Sequence, residues 1–116
     1  MIVYGIKSCD TVKKATTWLT KKKIKFEFHD YKKEGISEAK LKGWSKQVGW
    51  EKLVNKKGTT WRALVEDVQL GVTNVKAAVA LMKEKTSVIK RPLIEMDDQV
   101  MVVGFNEDEY KKVFKK

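Results

Sequence analysis

The chain has 116 residues, 42% of them apolar, with one proline and one cysteine. That length fits one compact core and leaves no room for a second, and such a chain buries roughly two-thirds of its unfolded surface without metal or disulfide staples. A single cysteine excludes an intrachain disulfide and every zinc-finger spacing, while 25 basic against 15 acidic residues give a formal charge of +10 that raises nucleic acid or an acidic membrane as partners to be tested.

No run approaches the ~18 consecutive apolar residues of a membrane-spanning helix. Met1 leads straight into a strand-like stretch, with no basic leader or cleavage site of the secretory kind. The expectation is a cytoplasmic protein whose thiol stays reduced.

Ile2-Val3-Tyr4-Gly5-Ile6 is rich in β-branched residues and reads as a buried strand. Val12, Ala15, Thr16 and Leu19 then repeat at i, i+3, i+4 and i+7, the inner face of a helix that Ser8 or Asp10 can cap. Phe26 to Tyr31 alternates apolar and polar residues, which predicts a half-buried strand and completes a right-handed βαβ unit. From Ser37, a candidate N-cap, Leu41, Trp44 and Val48 mark a second helix ending near Gly49, and Trp50 to Val54 reads as a further helical turn. Asn55 to Thr60 reads as a loop. Thr73 or Asn74 opens another helix with Val75, Ala78, Val79 and Met82 inward. Pro92 to Met96 and Gln99 to Val103 flank Asp97-Asp98, the pattern of a hairpin with a two-residue turn. Asn106, with an acid three residues on, caps a last helix carrying Tyr110, Val113 and Phe114.

Cys9 falls where the first strand hands over to the first helix. There the unpaired amides and the positive end of the helix dipole favour thiolate over thiol, and Lys7 and Lys13 add nearby positive charge. Lys7, Ser8 and Lys13 are therefore the candidate thiolate-stabilising residues. A lone cysteine can equally serve as a small buried hydrophobe, but Lys7, Ser8 and Asp10 are polar neighbours, which favours the reactive reading. All but two of the basic residues are lysines, the exceptions being Arg62 and Arg91. Arg91 can offer a bidentate fork to a carboxylate or oxyanion, or can simply be an exposed residue at a strand start before Pro92. His29 lacks partners at metal-ligand spacing and reads as structural, so no metal is expected. Trp44 shares the register of its helix core; Trp61 has no evident place. The lysines are spread over every element instead of forming one stripe, so no specific nucleic-acid or membrane partner is expected.

Tyr4-Gly5-Ile6-Lys7-Ser8-Cys9-Asp10-Thr11-Val12-Lys13-Lys14-Ala15, Phe28-His29-Asp30-Tyr31, Gly49-Trp50-Glu51, Asn55 to Arg62, Lys90-Arg91-Pro92-Leu93 and Val103-Gly104-Phe105 together resemble the YffB branch of the arsenate reductase (ArsC) family. The Firmicute regulators Spx and MgsR are more distant relatives. The resemblance implies one α/β domain over residues 1–116 of thioredoxin-like fold, a mixed four-stranded sheet in βαβ…ββα order with a helical insertion at about 36–86. It implies Cys9 as nucleophile and an arginine with a cis-proline, Arg91 and Pro92, in the same pocket; Lys57 and Arg62 of the insertion complete the candidate substrate or anion-binding set. The chain departs from arsenate reductases by carrying Lys57 where an arginine is expected and no arginine between Glu95 and Phe105. It departs from the regulators by having Val12 where a Cys-x-x-Cys switch has its second cysteine. What the resemblance leaves is a monothiol oxidoreductase with no bound cofactor and glutathione or another low-molecular-weight thiol as co-substrate. Its partners would be a small thiol or disulfide, or a protein held by a mixed disulfide; a regulatory protein-binding module and arsenate reduction are the alternatives.

Overall fold

The computed structural model describes residues 1–116. The strands are β1 (Ile2–Gly5), β2 (Glu27–Asp30), β3 (Leu93–Met96) and β4 (Gln99–Val103). The helices are α1 (Asp10–Lys21), α2 (Tyr31–Glu34), α3 (Glu38–Val48), α4 (Trp50–Leu53), α5 (Thr59–Arg62), α6 (Glu66–Gly71), α7 (Val75–Glu84) and α8 (Glu107–Phe114), with a 3-10 turn at Thr86–Val88. The chain forms two compact units: Met1–Glu34 with Arg91–Lys116, and Gly35–Lys90.

The first unit is a mixed sheet of order β2-β1-β3-β4, with β1 parallel to β2 and the other pairs antiparallel. This is the α/β, thioredoxin-like architecture expected. Because side chains alternate along a strand, register divides the sheet into two chemically different faces. Val3, Phe28, Ile94 and Val102 share one face and join Ala15, Trp18 and Leu19 of α1 and Tyr110 of α8 in an apolar core. Tyr4, His29, Leu93 and Glu95 share the other. The hairpin is as expected. Met96 pairs with Gln99, and Asp97 and Asp98 sit at φ 52° and 63°, the left-handed pair of a type I′ turn. A register shift between Ile94 and Glu95 bulges β4.

In the second unit, Ser37 caps α3 and Asn74 caps α7 through their side-chain oxygens. Leu41 and Trp44 of α3 and Ala78, Val79, Leu81 and Met82 of α7 are buried.

Several expectations are corrected. Tyr31 leaves the strand and starts α2, because the Asp30 side chain accepts from the Lys32 amide and turns the chain. Cys9 itself, not Ser8 or Asp10, is the N-cap of α1. Trp18 is buried in α1 where Thr16 is only half-buried and hydrogen-bonds back to the Val12 carbonyl. Val75 is 42% exposed, and Leu81 is buried in α7. The stretch read as a loop ends in a helical turn, α5, whose start is held by the Asn55 carbonyl accepting from Gly58. Trp61 belongs to that turn. It is buried, its carbonyl accepts from Gln69 Nε2 at 2.8 Å, and Lys56 Nζ lies 5.4 Å from its ring centroid. That is a packing role.

Candidate active site

The strand-to-helix junction is made by a turn at Lys7-Ser8, closed by the Cys9 amide donating to the Ile6 carbonyl at 3.1 Å. Cys9 keeps extended backbone angles, φ −81° and ψ 124°, while its carbonyl accepts the first helical bond, from Lys13, at 3.0 Å. The junction needs Gly5 just upstream. A Cβ there would lie 2.8 Å from Val12 Cγ2, so only glycine lets the first turn of α1 pack this closely on β1.

The thiol is partly exposed and is the chain's single sulfhydryl. Partial burial alone would push it up. The Val12 amide, the hydrogen bond and charge of Arg91, and the Thr11 amide together outweigh that, and the thiol is held below its ordinary value. As a neutral group Cys9 makes no short capping bond; the Thr11 and Val12 amides are orphan donors of the helix start, aimed where an anionic sulfur would sit.

Arg91 is thus the cation that acts on the sulfur. It precedes Pro92 through a cis peptide bond, and the Pro92 carbonyl accepts from Gly104 at 2.7 Å where β3 begins. Lys7 and Lys13 are exposed and border a shallow hollow with Val12, Thr16, Phe26 and Phe28; Ser8 is exposed in the turn. Lys57 and Arg62 are exposed residues of the second unit. The Lys57 amide bonds Asn55 Oδ1 at 3.2 Å.

One group escaped sequence reasoning. On the sheet face away from the apolar core, Tyr4 donates its hydroxyl to Glu95 Oε1 at 3.0 Å, and both residues are buried. Tyr4 also packs on His29, with ring centroids 4.8 Å apart, and on Tyr31 at 6.2 Å. The Tyr31 hydroxyl is buried without a hydrogen-bond partner. Burial foremost, then Tyr4, raises the phenol well above its ordinary range, with Arg91 opposing and Glu95 adding to the rise, so it stays a neutral donor. His29 Nδ1 lies 3.8 Å from Glu34 Oε2. No three His, Cys, Asp or Glu side chains converge to hold a metal ion, and no helix is long and apolar enough to cross a membrane.

A family model described as the ArsC family matches residues 4–113. The YffB protein structure shares 41% identity with this chain, covers 97% of it and 96% of itself, and superposes with a TM-score of 0.90. An arsenate reductase (ArsC) related protein from Brucella melitensis shares 45% identity over 99% of this chain and 94% of its own, with a TM-score of 0.77. The global transcriptional regulator Spx of Streptococcus pyogenes is 27% identical over 90% of this chain and 77% of its own length.

Proposed function

The chain belongs to the ArsC family, and from that premise we propose that it is a cytoplasmic monothiol oxidoreductase that uses glutathione or a similar small thiol. The observation that carries the reading is Cys9 at the head of α1, its sulfur favoured as thiolate by two backbone amides and by Arg91. The thiolate attacks one sulfur of a disulfide. The S–S bond breaks, the other sulfur leaves as thiolate, and Cys9 holds the remainder as a mixed disulfide. With no second cysteine to displace it, an external thiolate must attack that bond, release its own mixed disulfide and return the Cys9 thiolate. When the bound group is itself a glutathionyl group, the product is glutathione disulfide and the electrons balance at two. Arg91 grips a carboxylate of the incoming thiol, the backbone beside Pro92 aligns its sulfur, and the exposed Lys7 and Lys13, with Ser8 in the turn before Cys9, draw an anionic thiol toward the site without acting on the sulfur itself.

Mass spectrometry after mixing the protein with glutathione disulfide tests this. A single glutathionyl adduct on Cys9, removed by excess reduced glutathione, supports the reading; no adduct, or one that glutathione cannot release, overturns it.

The Spx relatives favour a second use of the same domain, a regulatory module that docks on a protein. Such docking survives Cys9→Ser in a lysate pull-down, whereas partners held by mixed disulfides are lost. Arsenate reduction is favoured less, because Lys57 is a point charge and the stretch from Glu95 to Phe105 holds no arginine to grip an oxyanion.

A further inference from the structure

Glu95 is the one buried charged side chain in the protein, at 3% exposure. Its setting follows from the strand order. β3 lies between β1 and β4, and register puts Glu95 opposite Ile2 and diagonal to Tyr4, on the face that Tyr4 and His29 also occupy. The Tyr4 hydroxyl satisfies one carboxylate oxygen. A hydroxyl does not neutralise a carboxylate, and glutamate is almost never fully buried without a cation. The structure offers one at the right place. Arg91 stands four residues upstream on the segment entering β3, its Nε is buried, and its charge and that of Glu95 bear on the same Tyr31 hydroxyl. A guanidinium is a planar fork with two usable edges. One can be anchored on a carboxylate while the other faces the sulfur.

We propose that Glu95, itself fixed by Tyr4, is the positioning residue that anchors Arg91 so that its free edge is presented to the Cys9 sulfur and to the anionic group of an incoming thiol. Neither Glu95 nor Tyr4 touches the reacting atoms; both act through Arg91. The inference rests on the reading of Cys9 as the reacting group, but not on glutathione as co-substrate.

Alkylation of Cys9 keeps the two apart, since it needs no turnover. The full chain is compared as wild type, Glu95→Leu, Arg91→Ala and the double variant, reading the pH midpoint of iodoacetamide alkylation and the preference for anionic iodoacetate over neutral iodoacetamide. Glu95→Leu should raise the midpoint by roughly one unit and reduce the iodoacetate preference several-fold. Arg91→Ala should do the same, and adding Glu95→Leu to it should change nothing further. Glu95→Gln, which keeps an acceptor in place, should fall between wild type and Glu95→Leu, and carries the comparison should the leucine variant not fold. Three results overturn the proposal: a midpoint that falls, as loss of a carboxylate acting directly on sulfur would cause; a shift of equal size with and without Arg91; or a lower melting temperature with midpoint and preference unchanged.

Discussion

The charge and hydrogen-bonding capacity of the Arg91 guanidinium hold the Cys9 thiol below its ordinary value, coupling the segment that enters β3 to the head of α1. Losing the guanidinium removes both a hydrogen bond and a positive charge from the thiolate. Arg91→Ala should therefore raise the alkylation midpoint of Cys9, and Arg91→Lys should raise it less, because lysine keeps the charge without the fork. Stopped-flow alkylation across pH reads both; a midpoint unmoved by the alanine change would contradict the assignment.

The same depressed thiol makes stability depend on pH. A group that loses its proton more readily when folded contributes stability above its unfolded pKa, and that contribution fades as pH falls through the lower folded value. For Cys9 the window runs downward from the ordinary thiol value. Relative to Cys9→Ser, the wild type should gain melting temperature as pH rises toward the ordinary thiol value and gain no more above it. Parallel melting curves across that range would contradict the lowered thiol.

Two buried tyrosines should respond oppositely to loss of the hydroxyl. Tyr110 donates to the Gly104 carbonyl at 2.6 Å, closing the turn between β4 and α8. Tyr110→Phe should cost about 1–2 kcal/mol, since it leaves a buried acceptor unmet. The Tyr31 hydroxyl is buried with no partner, so Tyr31→Phe should be neutral or stabilising by up to about 1 kcal/mol. Urea titration of both variants measures the contrast, and a destabilised Tyr31→Phe would show that its hydroxyl has an acceptor after all.

Gly5 couples packing to chemistry. Its substitution by alanine drives a methyl against both γ-carbons of Val12, a buried β-branched residue with little freedom to move aside. Gly5→Ala should cost about 1–3 kcal/mol by overpacking. It should also slow Cys9 alkylation, because α1 can yield only by carrying its N-terminus away from β1. Unchanged stability would mean that Val12 repacks freely.

Much of this was legible in the residues. The hairpin followed from Asp97-Asp98 between two apolar runs, the caps from Ser37, Asn74 and Asn106, and the place of Cys9 from a β-branched run meeting a helical period. Those signals are local and each has a short-range mechanism. What was missed depends on distant partners or on single turns. Four-residue helices such as α2 and α5 carry too few positions to show a period. Trp61 has no legible place because what holds it, Lys56 over its ring and Gln69 on its backbone carbonyl, leaves no helical period in the sequence. Glu95 drew no notice because one acid in a short strand reads as a solvent-facing position. It is buried because β3 is an inner strand, a fact of topology, not of spacing. The one hint was a glutamate flanked by Ile94 and Met96 close after an arginine in a lysine-dominated chain.

The capping position occupied by Cys9 has a consequence for any inactive control. Serine is among the best residues for starting a helix, because its oxygen accepts from the amides that a neutral thiol leaves unbonded. Cys9→Ser is therefore no silent deletion. Below the pH at which Cys9 ionises it should tighten the start of α1 by about 0.5–1 kcal/mol, yielding there a protein that is sturdier and chemically dead. Only while protonated does the sulfur hold its place at the expense of the helix it begins; once ionised it accepts from the same amides that serine would.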